Sequence, residues 1–269
     1  MIRVQESNGW LLAEHRNHAR LAGDFGRHWG NAEFAPPEPR DAILVAVYRH
    51  DDAWVERDAQ PALTRAGLPS AFSRELVGSY SAFEEIDLAD YLRVRGRATE
   101  AVAAGHPFAA VVVSMHTVNL LTEQADLSKL SAADLALHTE FIAGQRRRQT
   151  ELAAQARQQL PEATDAVFQR AFEFLQACDN LSLLACARYP EPRELRHRHP
   201  RRDGTLATLR CTPLGDDTYR VTPFPFDADE FELTVPCRRV SGTTFASGEV
   251  FRTRYAAAPV ESLRVRIVR

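Results

Sequence analysis

The chain has 269 residues, enough for one large or two ordinary domains with a real hydrophobic core. Its 33 Lys and Arg are nearly balanced by 36 Asp and Glu, which argues against a chain-wide nucleic-acid or membrane-surface footprint. The opening M-I-R-V-Q-E-S-N-G-W carries no signal-peptide apolar region, and the longest apolar run, Phe108–Met115, is far too short to span a membrane. Cys178, Cys186, Cys211 and Cys237 have no close metal-type pairing, so free thiols in a reducing cytoplasm are expected.

Taken in order, the chain begins with a short strand or turn. A helix follows from about Glu14 to His28, with stripe Leu21, Ala22, Phe25 and Trp29 and with His18 one turn earlier. Pro36, Pro37 and Pro39 interrupt the chain, and Asp41 is placed to cap the next helix, whose stripe runs Ile43, Leu44, Val47, His50 or Asp51, and Trp54. Ala59 to Ser81, richer in Gly, Pro and Ser, reads as loop with short helix. Helices are expected from about Glu84 to Ala104, over Phe108–Gln124 with Pro107 in the first turn, over Ala132–Gln159, and from about Glu162 to Arg188.

The character changes near residue 190. Pro190 to Gly204 reads as a linker, followed by alternating segments: T-L-A-T-L-R-C-T, Y-R-V-T-P-F-P-F, F-E-L-T-V-P-C-R-R-V, E-V-F-R-T-R-Y and L-R-V-R-I-V-R. The expected fold is mainly α, a helical bundle followed by a small C-terminal antiparallel β-sheet. Residues 1–189 form the helical domain, 190–204 the linker and 205–269 the β domain or extension.

Five polar residues, on four helices, interrupt apolar helix faces. His18 precedes Leu21, Ala22 and Phe25; His50 and Asp51 follow Val47; His116 follows Val112; Asp179 follows Leu175 and Phe172. Burying an ionised carboxylate without compensation costs several kcal/mol, so Asp51 and Asp179 need cations, donors or a metal. Two imidazoles and two carboxylates suit a water-activating divalent ion. A lone His on such a face is more often a hydrogen-bonded core residue, and a lone Asp an ion-pair partner; repetition of the anomaly on several helices favours a shared site.

The order His18, His50-Asp51, Asp179 resembles the H…HD…D arrangement of the HD-domain superfamily of metal-dependent phosphohydrolases. W-L-L-A-E-H-R-N-H-A-R-L-A-G, Arg49 to Trp54 with the Asp58…Pro61 that follows, Val113 to His116 and Cys178 to Leu183 resemble a bacterial family known only as a domain of unknown function, DUF3891. Its members usually carry Gly where this chain has Ala53, and often have short tails after the last helical motif.

The HD likeness implies an HD-like bundle with His18, His50, Asp51 and Asp179 as ligands of one ion, drawn from Mn, Fe, Zn, Co, Ni or Mg. It leaves His116 as a fifth ligand, a ligand to a second ion, or a proton donor to a leaving group. His138 could complete a two-metal set with His116, though its surroundings equally suit a surface or core His. Asp52 and Asp58 flank the dipeptide as further catalytic candidates, Asp58 as a residue orienting a ligand His; a solvated or turn-capping role serves them equally well.

His15 is a candidate partner of His18, with exposure the plainer reading. His28 and Trp29 suit a structural role at a helix end, Trp54 suits the core, and Gln145, Arg146–Arg148 and Arg196–Arg202 read as solvated. Ser114 and Ser182 lack a G-x-S-x-G setting, and there is no phosphate-binding Gly loop, dinucleotide fingerprint or H-E-x-x-H.

The expectation is a metal-dependent hydrolase acting on a small phosphorylated or nucleotide-like molecule. The alternatives are a diiron oxygenase on the same scaffold, and a non-catalytic binding protein with a buried His/Asp network. A small-molecule substrate is the expected partner, with neither nucleic acid nor membrane; self-association stays open.

Overall fold

The computed structural model describes residues 1–72 and 87–269. Strands β1 (Ile2–Glu6) and β2 (Gly9–Ala13) form an antiparallel hairpin around Ser7 and Asn8. Helices α1 (His15–His28) and α2 (Arg40–Arg49) follow, then a 3-10 turn (Asp52–Trp54) and the short α3 (Val55–Ala59). Next come α4 (Leu88–Ala103), α5 (Pro107–Thr122), α6 (Ala132–Gln159) and α7 (Asp165–Cys186). The chain then forms β3 (Arg193–Pro200), β4 (Leu206–Gly215), β5 (Thr218–Thr222), β6 (Glu230–Ser241), α8 (Gly248–Ala257) and β7 (Val260–Val268).

The expectation of a helical bundle with a small C-terminal sheet is overturned. The molecule is 50% helical and 24% strand, and its one seven-stranded curled sheet draws on both ends of the chain. The strand order is β1-β2-β6-β7-β5-β4-β3, antiparallel throughout except for the β5–β7 pair. The N-terminal hairpin joins the sheet through β2, which pairs with β6 from Gly9 opposite Ser241 to Ala13 opposite Cys237. Every residue of β2 is buried, as an inner strand covered on both faces requires. Gly9 permits the pairing: a Cβ there would fall 2.1 Å from the Val240 carbonyl oxygen.

Two further segments differ from the sequence reading. Pro190–Gly204, read as a linker, contains β3, whose Leu195 and His199 turn inward while Glu194, Arg196 and Arg198 stay exposed. Charge on such an edge strand discourages pairing with another chain. Glu249–Tyr255, read as a strand, lies in α8: the Ser247 hydroxyl caps it by accepting from the Val250 N–H, and Phe251 and Tyr255, four apart, are its buried pair. The segment's alternating apolar residues satisfied both periods, and the cap decided between them.

The remaining helices sit close to expectation. Pro39, rather than Asp41, occupies the position before α2, and Asp41 lies in its first turn. Asp87, Ser131 and Thr164 cap α4, α6 and α7 with side-chain oxygens. The predicted start of α4 at Glu84, and the part of the Ala59–Ser81 loop beyond residue 72, lie outside the described residues.

Helices and sheet share one hydrophobic cluster. Leu21, Phe25, Val47, Val112 and Leu175 from the helices join Leu11, Leu209, Val235 and Val265 from the sheet. The sheet therefore covers a face the helices could not leave in water. Within the helical layer α1 and α2 pack very closely. Gly23 makes this possible, because a Cβ there would lie 2.2 Å from the Tyr48 ring, and Tyr48 Oη donates to Asp24 Oδ1 at 2.6 Å. That approach brings His18 and His50 within reach of each other.

Candidate metal centre

His18 comes from α1, His50 and Asp51 from the end of α2, and Asp179 from the middle of α7. On a continuous helix, adjacent side chains diverge by about 100°. Here α2 stops at Arg49, His50 keeps helical angles, and Asp51 leaves them at φ −116°, ψ 15°, so both neighbours turn into the interior. All four are buried, His18 at 1%, His50 at 0%, Asp51 at 3% and Asp179 at 5% exposure.

The polar atoms converge. His18 Nε2 lies 3.0 Å from Asp51 Oδ2 and 3.8 Å from Asp179 Oδ1, and His50 Nε2 lies 3.4 Å from Asp179 Oδ1 and 3.8 Å from Asp51 Oδ2. Ligand atoms of His18, His50 and Asp179 all fall within 4.8 Å of one another, the only such group of three among the described residues. Atoms bonded to one transition ion at ~2.0–2.2 Å must lie about 3–4.5 Å apart, so these three approach the spacing of a coordination shell, while Asp51 falls outside the group.

The outer hydrogen bonds point both imidazoles into the cluster. His50 Nδ1 donates to the Val47 carbonyl at 2.8 Å, which leaves the Nε2 lone pair facing Asp179. The Ser182 hydroxyl lies 2.8 Å from both the Asp179 carbonyl and His18 Nδ1, and His18 Nε2 donates to Asp51 Oδ2 at 3.0 Å. Lone pairs facing carboxylate oxygens repel unless a cation or proton lies between them. His50 Nε2, fully buried, has no hydrogen-bond partner; its 3.4 Å contact with Asp179 is electrostatic, too long for a charge-assisted hydrogen bond. This is the arrangement by which metal-binding histidines are usually oriented.

Electrostatics agree with a cation-seeking site. Burial pulls the His50 pKa down, but the Asp51 and Asp179 charges outweigh it and hold it at about 9. Burial raises the Asp51 carboxyl, yet the Arg95 guanidinium and the neighbouring imidazoles keep it well below the usual carboxylate range. Asp179 is likewise pushed up by burial and held low by His50, His116 and His18. With only protons available, His50 is the group that charges to relieve the two carboxylates.

Arg95 on α4 completes the charge pattern. Its Nη1 donates to Asp51 Oδ1 at 2.7 Å, leaving Oδ2 to the cluster. Its Nε donates to Tyr91 Oη, and its guanidinium lies 5.2 Å from the Trp54 ring and 5.3 Å from the Tyr91 ring. The sequence reading missed it. Its signal was available: Leu88, Tyr91, Leu92, Arg95, Ala98, Thr99 and Val102 follow one helical stripe and are all buried.

His116 on α5 stands beside the cluster, its ring 5.2 Å from that of His50. Burial dominates its titration and pushes it down to about 3, leaving it neutral. Other sequence candidates lie elsewhere. Asp52 is partly exposed and pairs with Arg49 at 2.9 Å and Arg16 at 3.4 Å. Asp58 is buried and orients His15, accepting from its backbone N–H at 2.6 Å, with the Met1 ammonium 3.0 Å away. His15, expected at the surface, stacks on Trp54 at 4.3 Å. His138 Nε2 donates to the Leu121 carbonyl at 2.9 Å. Gln145, expected in solvent, is buried and accepts from Ser114 and Thr99.

Fold and site together define an α+β protein with a His/Asp constellation of metal-ligand type buried among helices that one sheet covers. The chain belongs to the family described as "Protein of unknown function (DUF3891)", which matches residues 1–242 and so includes the whole cluster and the strands through β6. Neither the curated proteins nor the solved structures contain a match to it. No helix of the described residues is long and apolar enough to cross a membrane.

Proposed function

We propose that the protein is a metal-dependent hydrolase, with His18, His50, Asp51 and Asp179 holding one divalent ion. The observation that supports this reading is His50 Nε2, fully buried and without a hydrogen-bond partner, held toward Asp179 by the Nδ1–H bond to Val47 in a group that His18 completes. When bound, such an ion lowers the pKa of a water in its shell and polarises a phosphoryl or carbonyl oxygen.

The chain's own residues supply the rest. Asp51 offers one oxygen inward while Arg95 holds the other, so the carboxylate cannot rotate away. With neutral imidazoles, two carboxylates against one guanidinium leave a single negative charge; a divalent ion converts it to a single positive one. A net positive charge at a buried ion favours an anionic reacting group, which supports a small phosphorylated or nucleotide-like substrate. His116, neutral and adjacent, is placed to give a hydrogen bond or proton to a group at the site.

A second reading has its own observation: with no ion, a charged His50 compensates Asp51 and Asp179, and the cluster is then a buried ionic network in a non-catalytic protein. One experiment separates the two. Protein purified without chelator is analysed for metal, and then assayed with Mn²⁺, Zn²⁺ and Mg²⁺ against a panel of phosphomonoesters and nucleotides, beside Asp179→Asn. Stoichiometric metal with hydrolysis lost in the variant supports the hydrolase; metal-free protein that takes up none of the three ions defeats it.

A further inference from the structure

Helix α7 carries three polar residues at intervals of three: Gln176, Asp179 and Ser182, all buried. Each addresses a different face of the histidine group. Asp179 meets His50 and His18 at their Nε2 atoms, Ser182 holds His18 at Nδ1, and Gln176 Nε2 donates to His116 Nδ1 at 3.0 Å.

The Gln176 amide belongs to a wider network of side-chain amides. The same Nε2 donates to Asn119 Oδ1 at 3.3 Å, and Asn119 Oδ1 also accepts from Gln124 Nε2 at 2.8 Å. In this arrangement the Gln176 NH2 group faces His116, and Nδ1 is the accepting nitrogen. A neutral imidazole that accepts at Nδ1 carries its proton on Nε2. His50 is held from the other side, its Nδ1 donating to the Val47 carbonyl.

We propose that Gln176 is a positioning residue that keeps His116 in the Nε2–H form, excluding it from the metal shell and making it the site's hydrogen-bond donor. This rests on the metal-centre reading for its consequence, but the tautomer stands without it. It assigns one ion rather than two to the cluster. It also identifies α7 as the element that sorts the three histidines into two ligands and one donor.

The test is ¹⁵N NMR of the full-length protein labelled at histidine, with the His116 signals identified by their loss in His116→Gln. The expected result in the metal-free protein is a single His116 tautomer protonated on Nε2. In Gln176→Glu a carboxylate replaces the amide donor, and the proton moves to Nδ1. In Gln176→Met, which keeps the volume and removes the donor, the single-tautomer signature is lost. A wild-type His116 protonated on Nδ1, or the same tautomer in wild type and both variants, overturns the proposal. Zinc is then added. His116 retaining its Nε2 proton while the His18 and His50 signals shift supports the assignment, and loss of that proton on saturation overturns it. If zinc moves none of the three histidines, the metal-centre reading fails while the tautomer result still decides the role of Gln176.

Discussion

The hydroxyl of Ser182 sits 2.8 Å from His18 Nδ1, behind the imidazole whose Nε2 donates to Asp51. Oγ also reaches the Asp179 carbonyl at 2.8 Å, so the one hydroxyl touches both the imidazole and the backbone of the helix that carries Asp179. A serine in an apolar helix stripe thereby links two of the four candidate ligands. Ser182→Ala is expected to leave the fold intact, at a cost of about 1–3 kcal/mol, and to weaken metal binding by roughly 10- to 100-fold. Calorimetric titration with Zn²⁺ measures this; an unchanged affinity would show that the hydroxyl does not prepare the site.

Removing a ligand has a larger effect. His50→Ala removes the imidazole nearest Asp179 and leaves Arg95 and His18 as the remaining partners of the two carboxylates, so metal uptake should fall by at least about 100-fold and the metal-free protein should lose stability as well. Elemental analysis and denaturant unfolding read the two effects separately. Metal content equal to wild type would remove His50 from the shell.

Protonation of His50 gives the metal-free protein a defined pH dependence. Its folded pKa of about 9 lies above the ordinary 6.5, so its contribution is complete below pH 6.5 and is lost as pH rises toward 9. The fully developed difference is about 3 kcal/mol. Metal binding must displace that proton, so between these limits affinity should climb about tenfold per pH unit. Stability that is flat from pH 6.5 to 9 in the metal-free protein would contradict the placement of His50 between two ionised carboxylates.

Arg95→Met tests the charge balance. Breaking a buried ion pair costs about 3–5 kcal/mol, because Asp51 loses its partner. Saturating Mn²⁺ or Zn²⁺ should restore part of that loss, since the ion takes over the compensation. Thermal unfolding with and without metal provides the measurement, and a variant as stable as wild type in metal-free buffer would exclude the pair as a structural support.

Asp52 offers the contrast. It pairs with Arg49 and Arg16 at a partly exposed position, so Asp52→Asn should change stability by about 1 kcal/mol or less and leave metal content alone. A large loss of metal in this variant would move the site toward the surface and away from Asp179.

Much of the helical layer was readable along the chain. Ser131 and Thr164 start α6 and α7 by capping, Pro107 opens α5, and the 3.6-residue stripes identified His18, His50, Asp51, His116 and Asp179 as polar groups on buried faces. Arg95 obeyed the same rule and was legible by it. Asp58 was legible as important but not as the partner of His15, because that contact spans 43 residues and depends on how β2 leads into α1.

Local chemistry was sufficient to say which side chains sit among apolar neighbours, since helix periodicity and capping act over a few residues. It could not say that β1 and β2 join strands more than 200 residues away, that Arg193–Pro200 is an edge strand, or that Glu249–Tyr255 coils rather than extends. Nor could it orient a single imidazole. Tautomers and pairings are settled by partners such as Ser182, Val47 and Gln176, and those partners exist only once distant helices have packed together.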